Sequence, residues 1–173
     1  MFTSSNQRDR GFTLIELLIV IAIIGLLSTL AVVSLTSAQR SARDTKRVAD
    51  LKATQTALEL FYNENAAYPT YSSGDDWSTD FTASLASFIS PLPEDPTNNT
   101  TYRYSYHVNS TGATYYLGAT LEDDTNSVLN NDNDDNVTGA SGDALLQSDG
   151  TSAFDTSANL NCSASGVYCL TTP

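Results

Sequence analysis

From Leu17 to Gln39 the chain runs for 23 residues without a charge, and most of them are Leu, Ile, Val or Ala. At about 1.5 Å of rise per residue, a helix of that length crosses about 30 Å of hydrocarbon. One acid, Glu16, stands at the edge of this run, behind the basic stretch "RDRG". An ionisable group in lipid is costly, so its presence there points to function. Secretory signals carry apolar regions of about 7–15 residues, so a removed signal with cleavage near Ala38 fits poorly. A retained segment fits better, either as a plain anchor or after removal of something shorter from its front.

The charges that follow extend the helix rather than end it. Arg40, Arg43, Lys46, Arg47 and Lys52 are interspersed with Asp44 and Asp50, and neither Gly nor Pro occurs between Ser34 and Ala66. Pairs at i,i+3 and i,i+4 support a helix continuing into water to about Asn65. Val48, Leu51, Gln55, Leu58 and Tyr62 recur at 3–4 spacing, so that face is expected to pack on a body.

That body is acidic. The formal net charge is −12, and from Ala53 onward sixteen acids face a single cation, Arg103. Such a surface repels a phosphate backbone, which argues against direct nucleic-acid binding. Pro69 and Gly74 break the long helix, and Trp77, Phe81, Leu85 and Phe88/Ile89 predict a short helix ended by Pro91 and Pro93. Next, Tyr102, Tyr104, Tyr106 and Val108 alternate with Arg103, Ser105 and His107. After the turn "NSTG", Tyr115, Leu117, Ala119 and Leu121 alternate in the same way. This predicts a hairpin, with Gly166–Leu170 as a third short strand. The expected fold class is α+β: a long N-terminal helix, its first half transmembrane, packed on a small antiparallel β-sheet head.

The stretch "RGFTLIELLIVIAIIGLLSTLA" resembles the class III signal of type IV pilins and of the pseudopilins of type II secretion systems. The resemblance implies a pilin-like fold and cleavage by a prepilin peptidase between Gly11 and Phe12. Phe12 then becomes the N-methylated first residue and Glu16 the fifth. Val33 stands where many members carry proline. Cleavage would create an ammonium at Phe12, one turn from Glu16, and two such charges about 4 Å apart attract by about 4 kcal/mol at an effective dielectric near 20. Between chains, the same carboxylate can be satisfied by a neighbour's N-terminus and so set the stagger of packed helices. Further on, "FYNENAAYPT" and "PLPEDPTNNTTYRYSY" resemble the tyrosine–proline and LP-x-DP elements of the major-pseudopilin branch, except that Thr97 and Asn98 replace its usual tryptophan and glycine. The resemblance fades beyond Leu121.

Seven acids crowd into residues 122–143, and Asp132, Asp134, Asn136 and Asp143 occupy positions 1, 3, 5 and 12 of an EF-hand-like loop. Val137 stands where the sharp turn of such a loop needs glycine, so an EF-hand is not expected. Resemblance to the major pseudopilins implies a looser Ca²⁺ loop, and a solvated acidic loop is the alternative. No cofactor is otherwise required. Cys162 and Cys169, an even pair in a Ser/Thr/Asn-rich tail, suit one small disulfide in an oxidising compartment, with two free thiols as the alternative. His107 is the only histidine and has no nucleophile motif beside it, so no enzyme activity is expected.

The expected organisation is a leader over 1–11, a transmembrane or filament-core half-helix over 12–39, an amphipathic half-helix over 40–65, and an extracytoplasmic head over 66–173. The expected function is a structural subunit assembled from the inner membrane into a type IV pilus-like filament. Its partners would be copies of itself, other pilin-like subunits, the peptidase and the assembly machinery. A secretion pseudopilin is the alternative within that class. A membrane-anchored binding module that never polymerises is the alternative outside it.

Overall fold

The computed structural model describes residues 12–71, 77–132, 136–137, 144–147 and 160–173. Two units make up the chain, Met1–Gln39 and Arg40–Pro173. A single helix, α1 (Leu14–Asn65), contributes to both.

Within the first unit every described side chain is exposed, including Phe12, Leu14, Ile15 and the Leu/Ile/Val run to Leu35. The helix is long and apolar enough to cross a membrane. Three of its hydroxyls bond back onto its own backbone: Ser28 Oγ to the Ile24 carbonyl (2.7 Å), Thr29 Oγ1 to Leu26 (2.8 Å) and Thr36 Oγ1 to Val32 (3.0 Å). Polar groups in hydrocarbon need such internal partners. The helix ends as expected at Asn65. Ala66 takes a left-handed φ of 58° and its N–H caps the Tyr62 carbonyl at 2.7 Å.

In the second unit, β1 (Tyr104–Val108) and β2 (Tyr115–Thr120) form the antiparallel hairpin. Its register places Tyr104 opposite Ala119, Tyr106 opposite Leu117 and Val108 opposite Tyr115, so the predicted alternation builds one apolar face. The expected third strand is β6 (Val167–Thr171), one residue further on, and it pairs with β2. A strand not expected from the residue pattern, β4 (Ala144–Gln147), pairs with β1 and completes a four-stranded sheet of order β4-β1-β2-β6. Two-residue strands β3 (Asn136–Val137) and β5 (Leu160–Asn161) pair separately. Because β1 lies between two strands and is covered on both faces, Ser105 and His107 are buried rather than exposed by alternation.

The core gathers Leu51 and Leu58 of α1 with Tyr68, Trp77, Phe81, Leu85, Tyr104, Tyr106, Tyr115 and Leu117. Trp77, Phe81 and Leu85 lie on a π-helical turn (Trp77–Phe81) running into α2 (Thr82–Leu85), so the predicted short helix starts wider than an α-helix. Glu59 joins helix to core by accepting from the hydroxyls of Tyr68 (3.0 Å) and Tyr115 (3.1 Å).

The buried face of α1 differs from the one predicted. Leu51 and Leu58 are buried and Val48 and Gln55 half-buried, but Tyr62 is 41% exposed. The fully buried positions are Asp44, Arg47, Leu51, Thr54, Ala57 and Leu58, so the face starts a turn earlier and on charged residues.

The hairpin loop spans residues 109–114, longer than the four-residue turn expected, and is tied to the body at Gly112. There φ is +67°, the Tyr68 N–H donates to the Gly112 carbonyl at 2.8 Å, and an added Cβ would meet the Tyr68 carbonyl oxygen at 2.8 Å. Gly112→Ala is therefore expected to cost about 1–3 kcal/mol from backbone strain and collision. Leu58→Ala, which empties a fully buried site, is expected to cost about 2–5 kcal/mol. Thermal melting of the detergent-solubilised chain measures both, and unchanged midpoints would contradict this packing.

Candidate functional site

The two units carry separate candidate sites. In the first, Gly11 lies outside the described residues, Phe12 is 88% exposed, and Glu16 begins α1. The Thr13 N–H and Oγ1 both donate to Glu16 Oε2, at 2.9 and 2.7 Å, while the Glu16 N–H donates to Thr13 Oγ1 at 3.3 Å. That is a capping box, which satisfies two orphan N–H groups at the helix start. The sequence carries its T-x-x-E signature at Thr13–Glu16, a signal that reading Glu16 only as a charge partner overlooks. One carboxylate thus has a helix-starting role that needs nothing upstream of Thr13.

In the second unit the charges of residues 43–50 are not simply a solvated helix face. Arg47 is completely buried. Its Nε and Nη2 donate to the two oxygens of Asp95 (2.7 and 3.1 Å), Nη1 to Asp44 (2.7 Å) and Glu122 (3.0 Å), and Nη2 also to Thr97 Oγ1 (3.2 Å). The guanidinium carbon lies 4.8 Å from the centre of the Tyr102 ring. Arg43 adds a two-pronged pair with Glu122, at 2.6 Å on each prong. Asp44 in turn accepts the backbone N–H groups of Glu122 and Asp123, at 2.9 and 3.0 Å.

Burial opposes the Arg47 charge, but the hydrogen bonds it donates to Asp95, Asp44 and Glu122 outweigh that and hold its pKa above the ordinary value. The Arg43 hydrogen bonds, joined by those of Arg47, draw the Glu122 carboxyl down to about 2 against partial burial. This cluster fastens three segments distant in sequence: the start of the head-bound helix, the Asp95 loop and the segment after β2. The Asp95 loop is the Leu92–Pro96 element. Asp95 Oδ1 also caps its own turn, accepting from the N–H groups of Thr97 (2.7 Å) and Asn98 (3.2 Å). Asn98 has φ +43°, a left-handed region that glycine and asparagine tolerate best.

Of the four residues with EF-hand-like spacing, Asp134 and Asp143 lie outside the described residues, and Asn136 is described only as a backbone partner of Asn161. Asp132 Oδ2 accepts the Cys169 N–H at 3.0 Å, which commits one oxygen to the fold. Among the described residues no group of three or more His, Cys, Asp or Glu side chains is arranged to hold a metal ion. Cys162 and Cys169 are disulfide-bonded, with their Cα atoms 5.7 Å apart, and pack against Tyr116 and Val167. His107 is buried in the sheet with its ring 6.2 Å from that of Tyr116.

A family described as the prokaryotic N-terminal methylation motif matches residues 6–32. A type II secretion system core protein G of Aeromonas hydrophila is 33% identical over 102 residues, covering 54% of this chain and 71% of that protein. Its counterpart in Klebsiella pneumoniae is 43% identical over 68 residues, 39% of this chain and 49% of that protein. The type IV major pilin protein PilA of Myxococcus xanthus is 41% identical over 66 residues, 38% of this chain and 30% of that protein. The chain thus spans about half the length of the Klebsiella relative and less of the pilin. No solved structure matches.

Removing Arg47 strands the buried carboxylates of Asp44 and Asp95, so Arg47→Ala is expected to destabilise the head by about 3–5 kcal/mol. The exposed substitution Lys52→Ala, measured by the same melting experiment, should stay within about 0.5 kcal/mol. Acid acts on the same cluster. Glu122 titrates lower folded than unfolded, so its contribution is complete above its unfolded pKa of 4.5 and drains away as pH falls from there toward about 2. Glu122→Gln should flatten that part of the stability–pH curve, and an unchanged slope would contradict the assignment.

Proposed function

The chain belongs to the family of type IV pilins and type II secretion pseudopilins, and we propose that it is a prepilin-type structural subunit that polymerises through the apolar half of α1. The carrying observation is that half-helix itself: from Phe12 to Gln39 every side chain is exposed, and Glu16 is its only charge. A membrane covers such a surface before assembly, and the same segments of other subunits cover it afterwards. In this reading a prepilin peptidase cuts between Gly11 and Phe12, and Phe12 is N-methylated. The Glu16 carboxylate then takes a neighbouring chain's N-terminal ammonium as its partner. The head stands on the extracytoplasmic side, where the Cys162–Cys169 disulfide is stable. The chain is a substrate of the peptidase and has no catalytic role of its own. Other pilin-like subunits and an assembly machine in the membrane complete the set of partners.

The secretion pseudopilin remains the second reading, favoured by a specific observation. Similarity to the Aeromonas core protein G extends over 102 residues, whereas that to the Myxococcus pilin covers 66. The Leu92–Pro96 element points the same way, whereas Thr97 and Asn98 depart from that branch. Loss of protein export on deletion, without loss of surface fibres, would select the pseudopilin. The opposite pattern would select the pilus subunit.

Intact mass and electron microscopy test the common core of both readings. The wild type is expected as a chain beginning at N-methyl-Phe12 and in filaments. Glu16→Ala should be cut normally yet leave no filaments. An uncut wild type that stays monomeric in the membrane would replace this reading with an anchored binding module.

A further inference from the structure

We propose that Asn99 is an acceptor for an N-linked glycan; this rests on the extracytoplasmic placement of the head. The sequence holds five N-x-S/T triplets, at Asn98, Asn99, Asn109, Asn136 and Asn161. A glycosyl acceptor needs an accessible carboxamide nitrogen, an accessible hydroxyl two residues on, and a backbone free of ladder pairing. Asn99, Thr100 and Thr101 are all exposed and lie outside every strand and helix. The Asn99 carboxamide oxygen accepts the N–H groups of Thr101 and Tyr102, each at 2.9 Å, and the Asn99 N–H closes the turn onto the Tyr102 carbonyl at 2.9 Å. Two backbone donors facing one atom identify it as the oxygen, so the Nδ2 amine is the end turned away from the turn.

The other four triplets are less suited. Asn98 is half-buried in the left-handed region, and Asn109 is half-buried, with its side-chain oxygen holding the hairpin loop through Ala113 and Thr114. Asn136 and Asn161 are paired with each other between β3 and β5, and Asn161 precedes the disulfide-bonded Cys162.

A second feature lies beside Asn99. Thr100, Thr101, Arg103, Ser105 and Thr120 line an open cleft of about 200 Å³, floored in part by Gly118. Hydroxyls and a guanidinium are hydrogen-bonding partners for a sugar, and the cleft adjoins the modified turn.

The donor is an oligosaccharide carried on a polyprenyl diphosphate, and the catalyst is a membrane oligosaccharyltransferase. The bond from sugar C1 to the diphosphate oxygen breaks, and the diphosphate leaves with the electron pair. Asn99 Nδ2 forms the new bond to C1 and gives up one proton to a base of the transferase. The turn presents the amide but does not activate it, because hydrogen bonds to a carboxamide oxygen draw electrons away from its nitrogen.

The test uses the full chain isolated from the cells that make it, digested to a peptide holding Asn99 but not Asn109 and analysed by mass spectrometry. External protease on spheroplasts is run in parallel to locate the head. The expected result is a peptide heavier by one or more sugar residues. Asn99→Gln and Thr101→Ala should abolish the modification, Thr101→Ser should retain it, and Asn98→Gln, Asn109→Gln and Asn161→Gln should leave it intact. An unmodified Asn99 peptide from a head that external protease digests would overturn the proposal while leaving the filament reading standing. A head shielded from that protease would instead overturn the extracytoplasmic placement, and the proposal with it.

Discussion

The head is organised around a positive charge with no access to water. Withdrawing the Arg47 guanidinium from solvent is costly, and the fold offsets that cost only by bringing Asp44, Asp95, Glu122, Thr97 and Tyr102 around it. Those groups come from three places in the chain, so the charge cannot be satisfied until all three have arrived. Apolar contacts such as Leu51 and Leu58 against Tyr106 and Leu117 are tolerant of small displacements, whereas a forked donor meeting two carboxylates is not. The helix supplies the cation, and the acidic body supplies the means of holding it. A strongly asymmetric distribution of charge therefore becomes a directional attachment.

Much of this was legible in the sequence, for reasons that can be named. The end of α1 at Asn65 followed from the absence of Gly and Pro up to that point. The β1–β2 hairpin followed from period-two alternation on either side of "NSTG", which put Tyr104, Tyr106, Tyr115 and Leu117 on one face. The cysteine pair announced its disulfide by number and setting. What escaped was long-range or coded in ambiguous residue types. Arg47 sits among charges at helical spacing, the pattern of an exposed face, and only the partners at Asp95 and Glu122 reverse that reading. β4 is four residues, "ALLQ", too short for its period to be read, and it becomes a strand because β1 offers a free edge. Ser105 and His107 are buried because β1 is covered along its whole length, which their alternation with the tyrosines does not reveal. Around Glu16 the miss was of another kind: the Thr13 signature was present and the charge drew attention away from it.

The two units answer different physical demands. The head is specified by unique contacts, with ring pairs such as Phe81–Tyr106 (4.5 Å) and Tyr68–Tyr115 (4.6 Å) fixing its interior. In the apolar half of α1 every described side chain is exposed, so that segment is specified by its backbone and by what surrounds it. Thr13 and Glu16 both lie beyond the proposed cut, so maturation would change the charge at the helix start while the capping box persists.

The hydroxyls of Ser28, Thr29 and Thr36 give that half-helix a further property. Each has already closed its hydrogen bond on a carbonyl of the same chain, so none of them seeks a partner outside. For these three hydroxyls lipid and packed protein are nearly equivalent solvents, since moving them from one to the other breaks none of these bonds. Glu16 is the one charged side chain on that surface, and its energy depends strongly on which of the two surrounds it, so it can bias where the whole segment resides.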